Sequence, residues 1–576
     1  MDLSKNKLRR TLASVCAVVC AAAAVPVVSV SAAATKYEAE NATFTNSSVS
    51  VVSKSGCSGG KCVNINTSNP NAMLSFNVNA AETGVYKIVV RAAGQGGDKV
   101  NRLRVDKSVV GEFTSTADTM NDATLDMVYM TKGSHTVHIM PSWGYINVDY
   151  ITVEKAETKD YSKGITRTLI NPDASDKAQR LMAFLADNFG KNTIAGQQAD
   201  GTGGKGYGLT SGEFTAIHDL TGRYPALVGL DLMNAYNVVK AAEDIDAQNG
   251  IVSLCYHWRA PAKYVKEGND SNGNPYSWGA FYTDHITGFN FDDIMNGKDQ
   301  EGYDLLMSQL DKVAPTLVAL KEANIPVLFR PLHEGSGGWF WWGSGSAESY
   351  KKLWKIMYDK FTNEYGCNNL IWVYNGQDKD WYPGDEYVDI IGEDIYPGKH
   401  VYKSQASKFD EAFNYTDAKK ITTLSENGCL FNPYEAGQIG TMWSWFCVWN
   451  GDFVQKNSAI STTYTDKYMW KYVYNHANVI TLDEMPDIST YPLSGGTAVK
   501  SKAGDYSASL ILGDVNGDGS VNTKDAMVMI QYAAGKKKVK SDLDMLAADI
   551  NSSGNVDTKD AMALIQFVKG AKANLP

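Results

Sequence analysis

Two glutamates have the residue type and the position for acid–base and nucleophilic work. Glu334 ends the run Arg330-Pro-Leu-His-Glu334, and Glu426 lies in Thr423-Leu-Ser-Glu-Asn-Gly428. Each follows a short apolar run, through Phe329 and through Leu424, that predicts a buried strand. In a (β/α)8 barrel the C-terminal strand ends form the catalytic face. Two carboxylates on that face suit cleavage of a glycosidic bond, one as acid/base and one as nucleophile. A solitary strand-end glutamate reads as part of a structural ion pair. Two of them, with a Trp-rich run just after the first, read as chemistry. The acid must stay protonated until it meets the leaving oxygen, so its pKa must be raised. Trp339, Phe340 and Trp341 are placed to supply a desolvated wall. A retaining pair needs its carboxyl groups ~5–5.5 Å apart, which inward side chains of strands 4 and 7 can achieve across a barrel mouth.

The elements that must position these groups are read from hydrophobic periodicity. Between residues 173 and 487, strand-like runs centre on Ile194, Val228, Leu254, Leu328, Trp372, Ile391, Leu424 and Trp445. Helical patterns intervene. Leu306, Leu310, Val313, Leu317 and Leu320 recur at helical spacing over 303–323, and an earlier helix begins after Asp173 or Ser175 as cap. Eight strands alternating with helices predict the barrel. Trp443 and Trp445 read as core. Residues 36–155 are different: short alternating runs such as Val85-Tyr-Lys-Ile-Val-Val90, broken by Gly and Asn turns, predict an all-β sandwich. Residues 488–508 are rich in Ser, Gly, Lys and Ala and read as a linker.

After the linker, over 509–572, a segment is duplicated. Asp514-Val-Asn-Gly-Asp-Gly-Ser-Val-Asn-Thr-Lys-Asp525 returns as Asp549-Ile-Asn-Ser-Ser-Gly-Asn-Val-Asp-Thr-Lys-Asp560, and each copy runs into a helix. Oxygen donors stand at loop positions 1, 3, 5, 9 and 12, with Gly519 and Gly554 at the turn. This is the logic of a calcium loop, hard oxygens for a hard cation. The candidate ligands are Asp514, Asn516, Asp518, Asn522 and Asp525, then Asp549, Asn551, Ser553, Asp557 and Asp560. Position 12 is Asp in both copies, where an ordinary EF-hand has a bidentate Glu.

At 576 residues the chain is long enough for several domains. A net charge of −10 with no basic stripe argues against a nucleic-acid partner. Lys5, Lys7, Arg9 and Arg10, an apolar stretch from Leu12 to Val30, and Ala32-Ala33-Ala34 predict a signal peptide over 1–34, hence a secreted protein. No other run has the length of a membrane helix. Of eight cysteines, Cys16 and Cys20 would leave with the signal. Cys57 and Cys62, flanking Ser-Gly-Gly-Lys, are the best candidate disulfide; a Cys429–Cys447 bridge is conceivable, and buried free thiols are the default for Cys255, Cys367, Cys429 and Cys447.

Three resemblances extend these readings. The barrel resembles glycoside hydrolase family 26, chiefly β-mannanases, through Tyr256-His-Trp258, Arg330 to Gly343, Asp389-Ile-Ile-Gly-Glu-Asp-Ile-Tyr396, Ser425-Glu-Asn427 and Phe446-Cys-Val-Trp449. That resemblance implies Glu334 as acid/base and Glu426 as nucleophile. It puts His257 and His333 at the sugar undergoing cleavage, Trp339 and Trp449 against sugar rings, Tyr396 beside the nucleophile and Asp394 nearby. Gly335-Ser336 stand where the family usually has Met-Asn. The sandwich resembles a family 35 carbohydrate-binding module through Tyr37-Glu-Ala-Glu-Asn41 and Trp143-Gly-Tyr-Ile-Asn-Val-Asp-Tyr150. This implies a structural calcium on Glu38, Glu40 and Asp149, and Trp143 as a sugar platform. The duplicated segment resembles a type I dockerin over 513–570, which implies two calcium ions and a cohesin on a scaffoldin as partner. Loop positions 10 and 11, which carry cohesin recognition in that family, are Thr523-Lys524 and Thr558-Lys559, identical in both copies.

Together these predict a multidomain chain: an all-β sandwich, a (β/α)8 barrel, then a small α-helical calcium-binding module. The implied function is a secreted, cellulosome-docked endo-β-1,4-mannanase acting on β-mannan by a retaining mechanism, with no cofactor needed for catalysis. The rivals are a β-1,3-xylanase or β-glucanase on the same barrel, or a non-catalytic polysaccharide-binding protein docked to cohesin. Retention of both glutamates and His333 speaks against the last.

Overall fold

The computed structural model describes residues 34–106, 108–200, 208–500, 506–539, 541–571 and 575. The predicted signal peptide lies outside the described residues, Ala34 excepted. Among the described residues no helix is long and apolar enough to cross a membrane.

The first unit is a sandwich of ten strands: β1 (Thr35–Glu38), β2 (Val49–Ser53), β3 (Lys61–Ile65), β4 (Leu74–Ala80), β5 (Gly84–Gly94), β6 (Lys99–Val105), β7 (Ser108–Ser115), β8 (Asn121–Met130), β9 (Gly133–Met140) and β10 (Ile146–Lys155). One sheet runs β2-β3-β10-β5-β8 with β1 on β10, and the other runs β4-β9-β6-β7. Period-two burial drives the packing. Leu74, Phe76 and Val78 of β4 point inward against Ile88, Val90 and Ile151 of the facing sheet.

The second unit is a closed parallel barrel. Its strands are β11 (Thr193–Gln198), β12 (Leu227–Asp231), β13 (Ile251–Cys255), β14 (Val327–Arg330), β15 (Leu370–Tyr374), β16 (Ile390–Ile395), β17 (Ile421–Asn427) and β18 (Trp445–Val448). They pair in sequence order, and β18 closes the ring on β11. All eight predicted strand centres fall inside them. Every residue of β11 to β15, β17 and β18 is buried, as strands covered on both faces must be. Helices α1 (Asp176–Asn188), α2 (Gly212–Thr221), α3 (Ala235–Asp246), α4 (Phe291–Met295), α5 (Gln300–Glu322), α6 (Ala347–Tyr358), α7 (Ala406–Phe413), α8 (Pro433–Ile439) and α9 (Lys467–Tyr474) surround it. Ser175 caps α1 through its side chain, which accepts from Ala178 N. Trp443 and Trp445 are buried in the core.

Two register shifts bear on the site. On β16 and β17, Glu393 pairs with Leu424 but Asp394 pairs with Glu426. On β17 and β18, Leu424 pairs with Phe446 and Asn427 with Val448. Strand β17 therefore carries an extra residue at Ser425–Glu426 relative to both neighbours. A bulge of this kind re-aims a side chain at a strand end, and here the side chain is Glu426.

The third unit holds α10 (Thr523–Ala533), α11 (Asp542–Ala548) and α12 (Thr558–Val568) around Val515, Met529, Ile550 and Leu564. The stretch before it is tied to the barrel at several points. Tyr491 Oη donates to Asp187 at 2.9 Å, Val499 N donates to Asn188 at 2.9 Å, and Tyr472 Oη donates to Ala508 O at 2.7 Å. The expected Cys57–Cys62 disulfide is not formed: the two face each other as free thiols within hydrogen-bonding reach. Cys429 and Cys447 are likewise free and buried.

Candidate active site and ion-binding loops

Glu334 follows β14 in a left-handed backbone conformation, φ 55° and ψ 30°, two residues after Leu332 at φ 52°. Such conformations cost ~1–3 kcal/mol each for ordinary residues and persist only where surroundings impose them. Here Glu334 N donates to Asn375 O at 2.7 Å, Tyr350 Oη donates to Leu332 O at 2.9 Å, and Trp342 Nε1 donates to His333 O at 2.8 Å. Gly335 comes next against the Tyr350 ring, where a Cβ would stand 2.4 Å from a ring carbon; a larger residue has no space there.

Glu426 ends β17 and is buried. Arg330 Nη2 donates to its Oε1, and Tyr396 Oη donates to its Oε2 at 2.8 Å. Arg330 Nη1 donates to Asp394 Oδ2 at 3.0 Å and to Asn375 Oδ1 at 2.8 Å. The guanidinium thus fixes two carboxylates from below, a planar fork suited to the task. One oxygen each of Glu334, Asp394 and Glu426 lies within 4.8 Å of the others. Arg330 already supplies the positive charge this cluster needs. Burial lifts the Asp394 carboxyl well above its ordinary range, against the opposing pull of Arg330.

The two glutamates differ in surroundings. Glu334 is half-buried and accepts a single side-chain bond, from Trp339 Nε1 at 2.8 Å. Burial, reinforced by the Glu426 charge, raises its pKa from 4.5 to about 7, although Trp339, Arg330 and His257 act the other way. A carboxyl in that state can donate a proton near neutrality. Glu426, held by two donors, is left as an acceptor.

The remaining predicted groups surround this pair. His257 lies perpendicular to His333 with ring centroids 4.7 Å apart, and Trp449 is 5.9 Å from His257. His333 is buried with Nδ1 lacking a hydrogen-bond partner, and burial together with Arg330 holds it well below the usual histidine range. Trp339 is 44% exposed at the rim and Tyr396 is also exposed. Trp341 departs from expectation. It is fully buried beneath the cleft, edge-on to Trp258 at 4.8 Å, because its Nε1 finds the Trp258 carbonyl. Phe340 does form the wall, as expected, 5.0 Å from His333 and stacked on Tyr282 at 5.5 Å. Arg330, Asp231, Asn375 and Tyr282 were not assigned roles from sequence. Arg330 was the readable one, since a basic residue inside a buried strand requires acidic partners.

In the sandwich, Trp143 is 57% exposed and so is no core residue. Its loop is fixed from within: buried Asn101 Oδ1 accepts from Ser142 N at 3.0 Å and Gly144 N at 2.9 Å. Gly144 has φ +64°, and a Cβ there would stand 1.7 Å from Thr67 O. Glu38, Glu40 and Asp149 each keep one buried oxygen without a hydrogen-bond partner, which is what a cation would satisfy. In the first duplicated loop, oxygens of Asp514, Asp518 and Asp525 lie within 4.8 Å of one another. Backbone N–H groups orient them: Gly517 and Gly519 donate to Asp514, and Val515, Asn516 and Asn522 donate to Asp525. The second loop repeats the pattern, with Ser553 and Gly554 donating to Asp549, and Asn551 and Asp557 donating to Asp560. Asn522 and Asp557 also cap α10 and α12. The donor sets fit calcium.

A carboxylic acid tuned to neutrality, facing a second carboxylate across the C-terminal mouth of a parallel eight-stranded barrel, defines a glycoside hydrolase. The family model of glycosyl hydrolase family 26 matches residues 170–484, and the chain belongs to that family. A family 35 carbohydrate-binding module matches 35–156 and a type I dockerin domain matches 512–569. Type I dockerins bind calcium and imply a cohesin partner. A mannan endo-1,4-β-mannosidase of Thermothelomyces thermophilus is 32% identical over 478 residues, covering 80% of this chain and 92% of that protein. Mannan endo-1,4-β-mannosidase B of a Piromyces species is 31% identical over 478 residues, with 80% and 79% covered. Among solved structures, a ruminal family 26 endo-β-1,4-mannanase superposes with TM-score 0.60 at 29% identity, covering 79% of this chain and 98% of that one. A Podospora anserina β-(1,4)-mannanase that pairs the family 26 and family 35 domains gives 0.56 at 30% identity, with 79% and 99% covered.

Proposed function

We propose that the chain is a secreted endo-β-1,4-mannanase that cleaves internal bonds of mannan, galactomannan or glucomannan with retention of anomeric configuration. The observation that carries this is the Glu334–Glu426 pair, with oxygens within 4.8 Å and Glu334 raised to about 7. The short separation supports retention, since an inverting pair needs room for a water between its carboxyls. Glu334 protonates the leaving oxygen and then deprotonates the incoming water. Glu426 attacks the anomeric carbon and forms the glycosyl-enzyme. Tyr396 and Arg330 hold Glu426 in line, and Arg330 also holds Asp394. His257 and His333 line the reacting sugar's site, and Trp339 and Trp449 pack on neighbouring sugars through their apolar faces. The substrate class follows the mannan endo-1,4-β-mannosidase activity of the relatives above. A panel of mannan, galactomannan, glucomannan, β-1,3-xylan and β-glucan, read by reducing ends and product sizes, tests it. Internal cleavage of the mannans supports the proposal, and cleavage confined to xylan or β-glucan overturns it.

The division of labour along the chain is part of the proposal: signal peptide 1–34, polymer-binding sandwich 36–155, catalytic barrel 173–487, linker 488–508, and a cohesin-binding module 509–572 that places the enzyme in an extracellular cellulosome. Met527, Ile530 and Met562 are exposed on α10 and α12 beside Thr523-Lys524 and Thr558-Lys559, an apolar surface suited to a cohesin. Its loops would hold two calcium ions, and Glu38, Glu40 and Asp149 would hold a third. Gathered carboxylates repel one another until the ion arrives. Amide hydrogen exchange over 510–570 should therefore slow markedly with calcium and become fast with chelator; equal protection in both states would remove the calcium loops from the account.

The sandwich raises local enzyme concentration on insoluble polymer. Deleting residues 36–155 should leave hydrolysis of short mannooligosaccharides nearly intact and lower activity on insoluble mannan. Trp143→Ala alone should produce most of that loss, one aromatic platform being worth ~1–3 kcal/mol. Equal performance of the truncated enzyme on both substrates would reduce the sandwich to a spacer.

A further inference from the structure

Strand β12 ends at Asp231, paired in register with Cys255 at the end of β13. This pairing puts Asp231 beside the chain as it turns into His257. Asp231 Oδ1 accepts from Met233 N at 2.9 Å and from His257 N at 3.2 Å, and Oδ2 meets His257 Nδ1 at 2.7 Å. The carboxylate is buried and these backbone donors hold it still. The His257 ring is boxed by His333, Phe281, Phe340 and Trp449, with centroids 4.7 to 5.9 Å away. With Nδ1 engaged, Nε2 is the ring's remaining polar atom; among the described residues it makes no hydrogen bond.

We propose that Asp231 is a positioning residue of the active site: it fixes His257 with a proton on Nδ1 and holds Nε2 as the polar atom offered to the sugar beside Glu334. This rests on the glycosidase reading above. Charge follows the geometry. Burial opposes a proton on His257, but Asp231 and Glu426 outweigh it, with Arg330 acting against them, and the pKa rises. His333, facing Arg330 and His257, moves the other way. The two neighbouring imidazoles are therefore pushed in opposite directions, His257 toward the protonated form and His333 toward the neutral one. The His257 charge also bears on Glu334, which faces Glu426, Trp339, Arg330 and His257. It favours the ionised carboxylate, so it keeps Glu334 from rising further.

The test is Asp231→Asn, measured by the pH dependence of kcat/KM on a mannooligosaccharide and by imidazole nitrogen NMR. Removing an orienting carboxylate behind a histidine should lower kcat/KM on the order of 10- to 100-fold, the range known for such partners at metal-bound histidines. The basic limb should move to higher pH, because Glu334 loses the neighbouring positive charge. In a His257→Ala background the same substitution should leave the limb where it is. An unmoved limb in the single variant, or an equal displacement without His257, overturns the proposal. If Asp231→Asn does not fold, the unmodified enzyme decides: a protonated Nδ1 on His257 at neutral pH supports the assignment, and an unprotonated one refutes it. Wild-type enzyme inactive on every glycan would instead sink the glycosidase reading, so the two failures are distinguishable.

Discussion

Replacing Glu426 with alanine should abolish hydrolysis of mannan, with a loss on the order of 10⁵-fold, or ~7 kcal/mol of transition-state stabilisation. The substitution removes the atom that would bond to the anomeric carbon and leaves Arg330 and Tyr396 facing a void. Azide is small enough to enter that void. On a substrate with a good leaving group it should restore turnover and yield a glycosyl azide of inverted configuration, because it attacks once where the enzyme would react twice. Unchanged turnover by the variant, or an azide product of retained configuration, would take Glu426 out of the nucleophile's role.

Glu334→Ala should separate the two halves of the reaction. Polymer hydrolysis needs a proton on the departing sugar oxygen and should slow by ~10²–10⁴-fold. An aryl glycoside whose leaving group needs no proton should still form the glycosyl-enzyme, giving a burst of phenol before slow deglycosylation. The pH profile gives a second reading. Glu334 acts protonated, and its pKa is raised to about 7 by burial and by Glu426. Activity of the unmodified enzyme should therefore be present below that value and fall as pH rises through about 7. The alanine variant should lack that basic limb. Equal losses on polymer and aryl glycoside would contradict the acid/base assignment.

Much of this site was legible in the sequence, and the limits have physical causes. All eight barrel strands could be located because parallel strands buried on both faces write continuous apolar runs. Glu334 and Glu426 stood out as carboxylates ending two of those runs. Arg330 was readable as a basic residue in a buried strand, but which groups it and Asp231 pair with was not, because barrel closure brings the partners together across long separations. Arg330 reaches Glu426 over 96 residues of chain. Asp231 reaches His257 from the neighbouring strand, 26 residues away. No spacing rule encodes such pairs. The bulge at Ser425–Glu426 depends on both neighbouring strands and was equally invisible. Among the aromatics, composition promised a wall but could not apportion it. Trp341 turned inward because its N–H found a buried carbonyl, leaving Phe340 to face His333. The Cys57–Cys62 pairing shows the reverse limit: spacing brought the two sulfurs together, yet they remain thiols.

The most direct test of the central claim is to trap the glycosyl-enzyme. The enzyme would be incubated with a 2-deoxy-2-fluoro-β-mannobiosyl fluoride, digested, and its peptides mapped by mass spectrometry. The account predicts one stoichiometric adduct on the peptide containing Glu426, with fragmentation placing the sugar on that side chain and activity lost in step with labelling. Inactivation with the adduct on another residue, or turnover of the reagent with inversion and no covalent species, would contradict it.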